Sequence, residues 1–280
     1  YTFLFSNSIK YLILGKLDKQ KMQEILKYSI PLIPNGIMWW LISAINRPMM
    51  EHYLDYSAIG IFAVANRFPG VITMIFSVFA TAWNISVFEE YGKNGYEEFY
   101  KKTFRVLFIL LSIASSIIII SSYYIIKVFT APEFIEAWKY MVILVASSFF
   151  YCICSFLGTN FGVVKKSQYF FYSSIYGALS SVALNFLLIP KFGLWGASYS
   201  VLISYIIMSI ARYVYSLKYV KVSLISSVLE LSIFLAVICV VTLSIQNMVV
   251  KILVSIACLL LFMFLKREML QSALYNIIRR

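Results

Sequence analysis

The chain has 280 residues, of which 61% are hydrophobic, 18% aromatic and only 13% charged, and its mean hydropathy is +0.85; that balance excludes an ordinary soluble domain and a disordered one. A net charge of +12 would suit nucleic acid on a soluble protein, but here the basic residues are distributed by membrane side, which removes nucleic acid as an expected partner. Four cysteines inside apolar runs, Cys152, Cys154, Cys239 and Cys258, and a lone histidine, His52, form neither a disulfide framework nor a zinc spacing, so no metal or cofactor is expected.

The chain begins on Tyr1, and residues 1–15 read as the end of a truncated transmembrane helix from a longer protein. Residues 16–27, KLDKQKMQEILK, mix charged and apolar positions at helical spacing, as a cytoplasmic interfacial linker does. Apolar runs long enough to cross a bilayer follow at 28–50, 57–88, 104–126, 140–163, 169–189, 195–216, 228–245 and 250–265. Short alternating strands of the kind that build a barrel are missing. The expected fold class is therefore all-α: a polytopic transmembrane helical bundle of about eight spans, plus the end of the earlier one.

The first run carries Pro31 and Pro34 near its start, where they remove backbone donors and predict a bend. Trp39-Trp40 follow, and Asn46-Arg47-Pro48 stand near the other end. Arg47 has two readings, snorkelling to the interface or facing a cavity. The second run, SAIGIFAVANRFPGVITMIFSVFATAWNISVF, holds the most informative features. It is longer than a straight span requires, and Pro69-Gly70 supplies the bend that would accommodate it. Arg67 is ten residues inside its start, roughly 15 Å deep at about 1.5 Å per residue. A guanidinium at mid-bilayer costs at least about 3 kcal/mol, so Arg67 is expected to face protein, water or an anionic ligand.

Of the later runs, 104–126 has no internal charge, is Ser/Ile-rich and reads as peripheral packing, while 140–163 presents a small and polar face suited to close helix contact. The last pair is aliphatic apart from Glu230 and reads as lipid-facing. If residues 16–27 are cytoplasmic and the eight spans alternate, the inner segments hold 17 Lys and Arg, Arg212 among them, against 4 outside, namely Lys127, Lys139, Lys191 and Lys251. That bias places both ends of the eight-helix set in the cytoplasm, with anionic membrane lipids as a further partner of the basic face.

Enzyme templates find little here. There is no Gly-rich phosphate loop and no Cys/His or Ser/His arrangement, and no carboxylate lies deep in a span. No catalytic residue is expected. Coupling to a proton or sodium ion would have to run through a part of the protein outside this chain.

Residues 26–92 resemble the middle of polysaccharide biosynthesis proteins of the oligosaccharide flippase family, within the multidrug, oligosaccharidyl-lipid and polysaccharide exporter superfamily. The matching landmarks are Pro31-Leu32-Ile33-Pro34, Trp39-Trp40, Asn46-Arg47, Gly60-Ile61-Phe62-Ala63-Val64-Ala65, Arg67 and Ala82-Trp83, and later IPKFGLWGAS at 189–198. The resemblance implies that 28–216 is the six-helix second lobe of a transporter and 217–280 two trailing helices with a cytoplasmic C-terminus, in a bacterial cytoplasmic membrane. It implies a flippase that moves undecaprenyl-pyrophosphate-linked oligosaccharide by alternating access, for O-antigen, capsule or related polymers. Arg67 and Arg47 would then meet the pyrophosphate, beside Asn46. Trp39 and Trp83 would stack on sugars or serve as interface anchors, and Pro69, Gly70, Pro31 and Pro34 would be hinges. Similar proteins often carry an acid directly before the first arginine, where this chain has Asn46. A multidrug exporter of the same superfamily, or a membrane polysaccharide polymerase, is the alternative. The first would want an acidic or apolar cavity and the second a large external loop.

Overall fold

The computed structural model describes residues 18–245, 247–268 and 271. The truncated helix expected at residues 1–15 and the chain beyond residue 271 lie outside them. The described residues form helices and no strands: α1 (Lys19–Ser29), α2 (Leu32–Ala44), α3 (Asn46–Tyr53), α4 (Tyr56–Ala65), α5 (Pro69–Glu90), α6 (Tyr96–Phe129), α7 (Ala137–Val163), α8 (Gln168–Phe192), α9 (Leu194–Ser216), α10 (Ile225–Ser244) and α11 (Met248–Leu265), with a 3-10 turn at Pro132–Phe134. Among the described residues, 7 stretches are long and apolar enough to cross a membrane, and an eighth apolar helix, Val249–Leu265, is shorter. The fold is the all-α polytopic bundle that hydropathy predicts.

Two of the membrane-length stretches are broken helices. Lys19–Tyr53 contains α1, α2 and α3, and Tyr56–Glu90 contains α4 and α5. Their breaks have a common cause. Pro31, Pro48 and Pro69 cannot donate to the carbonyl one turn back and crowd it sterically, so regular geometry lapses just before each. Asp18 caps α1, accepting from the backbone N–H of Gln20 at 3.0 Å and of Lys21 at 3.3 Å. The helix buries no residue.

The centre of the bundle is α7, with 83% of its apolar window buried. It packs against α4, α5, α6 and α9, while α8 joins α2 to α9. Its Ser and Gly positions allow this number of close neighbours. The run expected to be peripheral is in fact an inner element: α6 buries Tyr100, Phe104, Phe108, Ser112, Ser115, Ile119 and Ile126 along one face and packs on α7 and α10. Its serines make that face thin rather than lipid-soluble. Ser112 and Ser116 donate to the carbonyls of Phe108 and Ser112 at 2.7 and 2.8 Å, so their polarity is absorbed within the helix.

The α8–α9 turn is the tightest. Gly193 has φ +55°, a backbone region that glycine occupies without strain, and a Cβ on Gly196 would collide with the Leu188 carbonyl oxygen. The helices α10 and α11 attach to α6 and to each other, with Lys266 paired to Glu230, Arg105 donating to Ser227 Oγ at 3.0 Å, and Lys251 placed over the Trp138 ring at 4.4 Å.

Candidate substrate-binding site

The two broken stretches meet through α3 and α4, and their breaks carry the polar residues that a continuous apolar helix would not. Asn46 begins α3. It is 2% exposed; its amide Nδ2 donates to the Ile42 carbonyl at 3.5 Å, and its Oδ1 is buried without a partner among the described residues. Arg47 points outward and pairs with Glu51 one turn later, Nε to Oε1 3.5 Å. The acid that similar proteins place before this arginine thus has a counterpart after it. Arg67 lies in the gap between α4 and α5, exposed, and no carboxylate among the described residues comes within the 4.0 Å of an ion pair. His52 is exposed on α3, its ring edge-on to Tyr53.

Between the breaks opens a cleft of about 260 Å³, lined by Ser43, Asn46, Phe62, Asn66, Pro69, Gly70, Thr73, Ser147, Ser148, Tyr151, Val201 and Tyr205. Asn46, Asn66, Pro69 and Gly70 therefore share one cavity, with Arg67 next to Asn66 in the chain. Trp39 stands behind its aromatic wall, 4.8 Å edge-on from Tyr151 and 5.9 Å from Tyr205. Trp40 is 66% exposed. Trp83 is elsewhere, on the wall of a second cavity of about 260 Å³ with Tyr28, Phe76, Ser155 and Thr159. It is 2% exposed, stacked with Phe156 at 4.7 Å and Phe99 at 5.6 Å, and donates Nε1–H to Thr159 Oγ1 at 3.2 Å. Its ring is a core element between α5 and α7. Pro31 and Pro34 fall at the α1–α2 break and the first turn of α2.

The residue that sequence reading assigned to a cytoplasmic segment, and that the structure places inside the bundle, is Arg212. It is 2% exposed and heads the fully buried side chains. A side chain on a helix leans toward its N-terminus, and α9 runs toward the basic end, so the guanidinium reaches back into the bundle. It donates Nη1 to the Cys154 carbonyl at 2.6 Å, Nε to Ser173 Oγ at 3.2 Å and Nη2 to Ser174 Oγ at 3.3 Å, and it lies over Trp39 and Phe170 at 5.0 and 5.6 Å. Ser174 in turn donates to Asn35 Oδ1 at 2.5 Å. Arg212 thus ties α2, α7, α8 and α9 together through neutral acceptors and ring faces. The available signal was its position inside the run 195–216, with small residues Gly158, Ser173 and Ser174 at matching depth.

Membrane-length helices packed round one central helix, with proline-broken neighbours presenting polar residues to a cleft, define a polytopic membrane transporter. The sequence matches the MatE family over residues 31–187, more than half of its length, and the chain belongs to that family, whose members are transporters rather than enzymes. Among curated proteins none matches. Among solved structures, the lipid II flippase MurJ in its inward closed conformation superposes with a TM-score of 0.61 over 90% of this chain, at 20% sequence identity. The superposition takes in 56% of the MurJ chain, so this chain spans little more than half the length of that protein, and the likeness is one of fold.

Proposed function

We propose that the chain is a lobe of a flippase that moves a polyprenyl-diphosphate-linked oligosaccharide across the bacterial cytoplasmic membrane by alternating access, for O-antigen, capsule or a related surface polymer. The observation that carries the reading is Arg67: an arginine exposed in the break of a 35-residue membrane-length stretch, with no acid in ion-pair range among the described residues. At that depth an uncompensated guanidinium is too costly against lipid. It is suited to bidentate contact with a phosphate in a cavity shared with a second lobe. Arg47 is the secondary contact, its charge already shared with Glu51. Asn46 belongs to the wall beside the anion with Trp39 behind it, and Trp83 supports α5 from within. The basic end of the bundle is the cytoplasmic one, and the breaks at Pro31, Pro34, Pro69 and Gly70 are where the helices flex between states.

The experiment uses the full-length gene. Its deletion should leave lipid-linked oligosaccharide on the cytoplasmic leaflet and remove surface polymer, with rescue by wild type, partial rescue by Arg67→Lys and none by Arg67→Ala. Normal surface polymer after deletion would point to drug export, and repeat units already outside the membrane would point to polymerisation.

A further inference from the structure

The Ser and Thr hydroxyls of the cleft between the broken helices are left to act as hydrogen-bond acceptors. Ser43 donates to the Trp40 carbonyl at 2.9 Å, Thr73 to that of Gly70 at 2.9 Å, and Ser147 and Ser148 to that of Leu144 at 2.7 and 3.2 Å. Each hydroxyl proton is thus spent inside its own helix, which leaves oxygen lone pairs for the cavity. To these the Asn46 Oδ1 adds a buried acceptor with no partner among the described residues, at 2% exposure of the residue. A buried amide oxygen left unpaired is unfavourable, and a ligand donor that reached it would recover that cost. One wall is aromatic: Tyr151 and Tyr205 meet at 5.6 Å and 89°.

These acceptors, beside the donor groups of Asn66, Tyr151 and Tyr205, suit either a metal cation, which would use the acceptors alone, or a neutral polyhydroxy compound, which would use both. The charges decide between them. No carboxylate is among the lining residues, and the charged residues next to them along the chain are both cationic, Arg47 beside Asn46 and Arg67 beside Asn66. A bare cation would meet repulsion with no anion to offset it, whereas a sugar ring would place hydroxyl or acetamido N–H groups on the acceptors and its apolar face on the tyrosines. The volume, about 260 Å³, is on the scale of one ring.

We propose that this cleft is a monosaccharide subsite for the diphosphate-linked sugar of the cargo, with Asn46, Thr73 and the Ser147–Ser148 pair as acceptors and Tyr151 as the stacking wall. It rests on the flippase reading, in which Arg67 holds the diphosphate one residue from the cleft. The lobe would thus recognise its cargo at the junction of phosphate and sugar, which couples specificity to the hinge that Pro69 and Gly70 form.

The test measures binding to full-length protein in detergent with two probes, farnesyl diphosphate and farnesyl diphosphate bearing one N-acetylhexosamine on its terminal phosphate. Wild type should bind the sugar-bearing probe about tenfold more tightly. Asn46→Leu and the near-isosteric Thr73→Val should abolish that preference, and Thr73→Val should keep the affinity for bare farnesyl diphosphate; Arg67→Gln should weaken both. Equal affinity for the two probes in wild type would overturn the subsite and leave the anion site standing. Binding of neither probe would overturn the flippase reading as well. A sodium-dependent thermal stabilisation lost in Asn46→Leu and Thr73→Val, with sugar preference intact, would make the cleft a cation site and overturn the proposal.

Discussion

The Arg212 guanidinium carbon lies 5.0 Å from the centroid of the Trp39 ring, so a charge carried on α9 is held partly by an indole carried on α2. No carboxylate participates. The charge rests on one carbonyl, two hydroxyls and two ring faces. A buried ion solvated this way depends on the planar fork of arginine, because a lysine ammonium reaches fewer of these acceptors and cannot stack flat. Arg212→Lys is expected to destabilise the full-length protein by about 3 kcal/mol. An apolar residue of similar length leaves no charge to compensate, so Arg212→Met should cost less than Arg212→Ala, which also opens a cavity. Thermal unfolding in detergent gives the ranking.

Gly158 sets the room available to that guanidinium. A Cβ there would stand 2.7 Å from Arg212 Nη1 and 3.1 Å from Phe170 Cε1, below the separation that non-bonded atoms tolerate. Gly158→Ala should therefore displace the arginine from the Cys154 carbonyl and cost about 1–3 kcal/mol. The mechanism is specific to the pair. Introduced into Arg212→Met, whose side chain has no guanidinium at that point, the same substitution should cost measurably less, and a double-mutant cycle reports the difference as coupling. Equal costs in both backgrounds would mean that Phe170, not Arg212, sets the limit.

The turn between α8 and α9 leaves less freedom still. At Gly158 the obstruction is a side chain that can shift, but at Gly196 a Cβ would enter the backbone of Leu188 and Ile189, which cannot move without separating the two helices. Gly196→Ala should reduce the yield of folded protein more than Gly158→Ala does. Membrane-inserted protein surviving detergent extraction is the readout.

How much of this could be read from the sequence depended on whether one segment carried the information. The all-α class follows from hydropathy, and the breaks at Pro31 and Pro69 follow from those prolines, because each cause lies within the element it affects; the break ahead of Pro48 was not read, and Pro34 sits within the first turn of α2. The interior face of α6 was hidden, since a Ser/Ile run without internal charge looks the same whether its serines line a helix contact or face lipid. Arg212 was hidden for a related reason. Charge counting treats any basic residue near the end of a span as an anchor, and only the direction of α9 together with Gly158, Ser173 and Ser174 from other helices reveals that this one turns inward. The cleft itself draws on six helices, and of its lining residues only Asn46, Pro69 and Gly70 stood out in the sequence.

Trp83 offers a contrast between packing and recognition. Its ring is stacked between aromatic neighbours and its N–H is bonded to Thr159, so truncation should act through folding. Trp83→Ala is expected to cost about 3–5 kcal/mol, and Trp83→Phe distinctly less, with the loss of one hydrogen bond. Cargo binding measured on whatever folds should be unchanged in Trp83→Phe. A large loss of affinity at normal stability would instead give the ring a direct part in binding.

The break before Pro69 gives the last prediction, because it separates flexibility from stability. Restoring a backbone donor with Pro69→Ala lets residue 69 bond to the Ala65 carbonyl and extends α4 toward α5. Gly70 is exposed, and a Cβ there meets no atom within 4 Å, so Gly70→Ala adds helix propensity of about 0.5–1 kcal/mol with no steric cost. The double variant should be as stable as wild type or slightly more so. If the break is where the lobe bends during transport, export of the lipid-linked oligosaccharide should nevertheless slow several-fold, since a stiffened segment raises the barrier between inward-open and outward-open states. Stability retained with export slowed identifies a hinge. Stability retained with export unchanged shows that the break serves only to expose Arg67 and to open the cleft beside it.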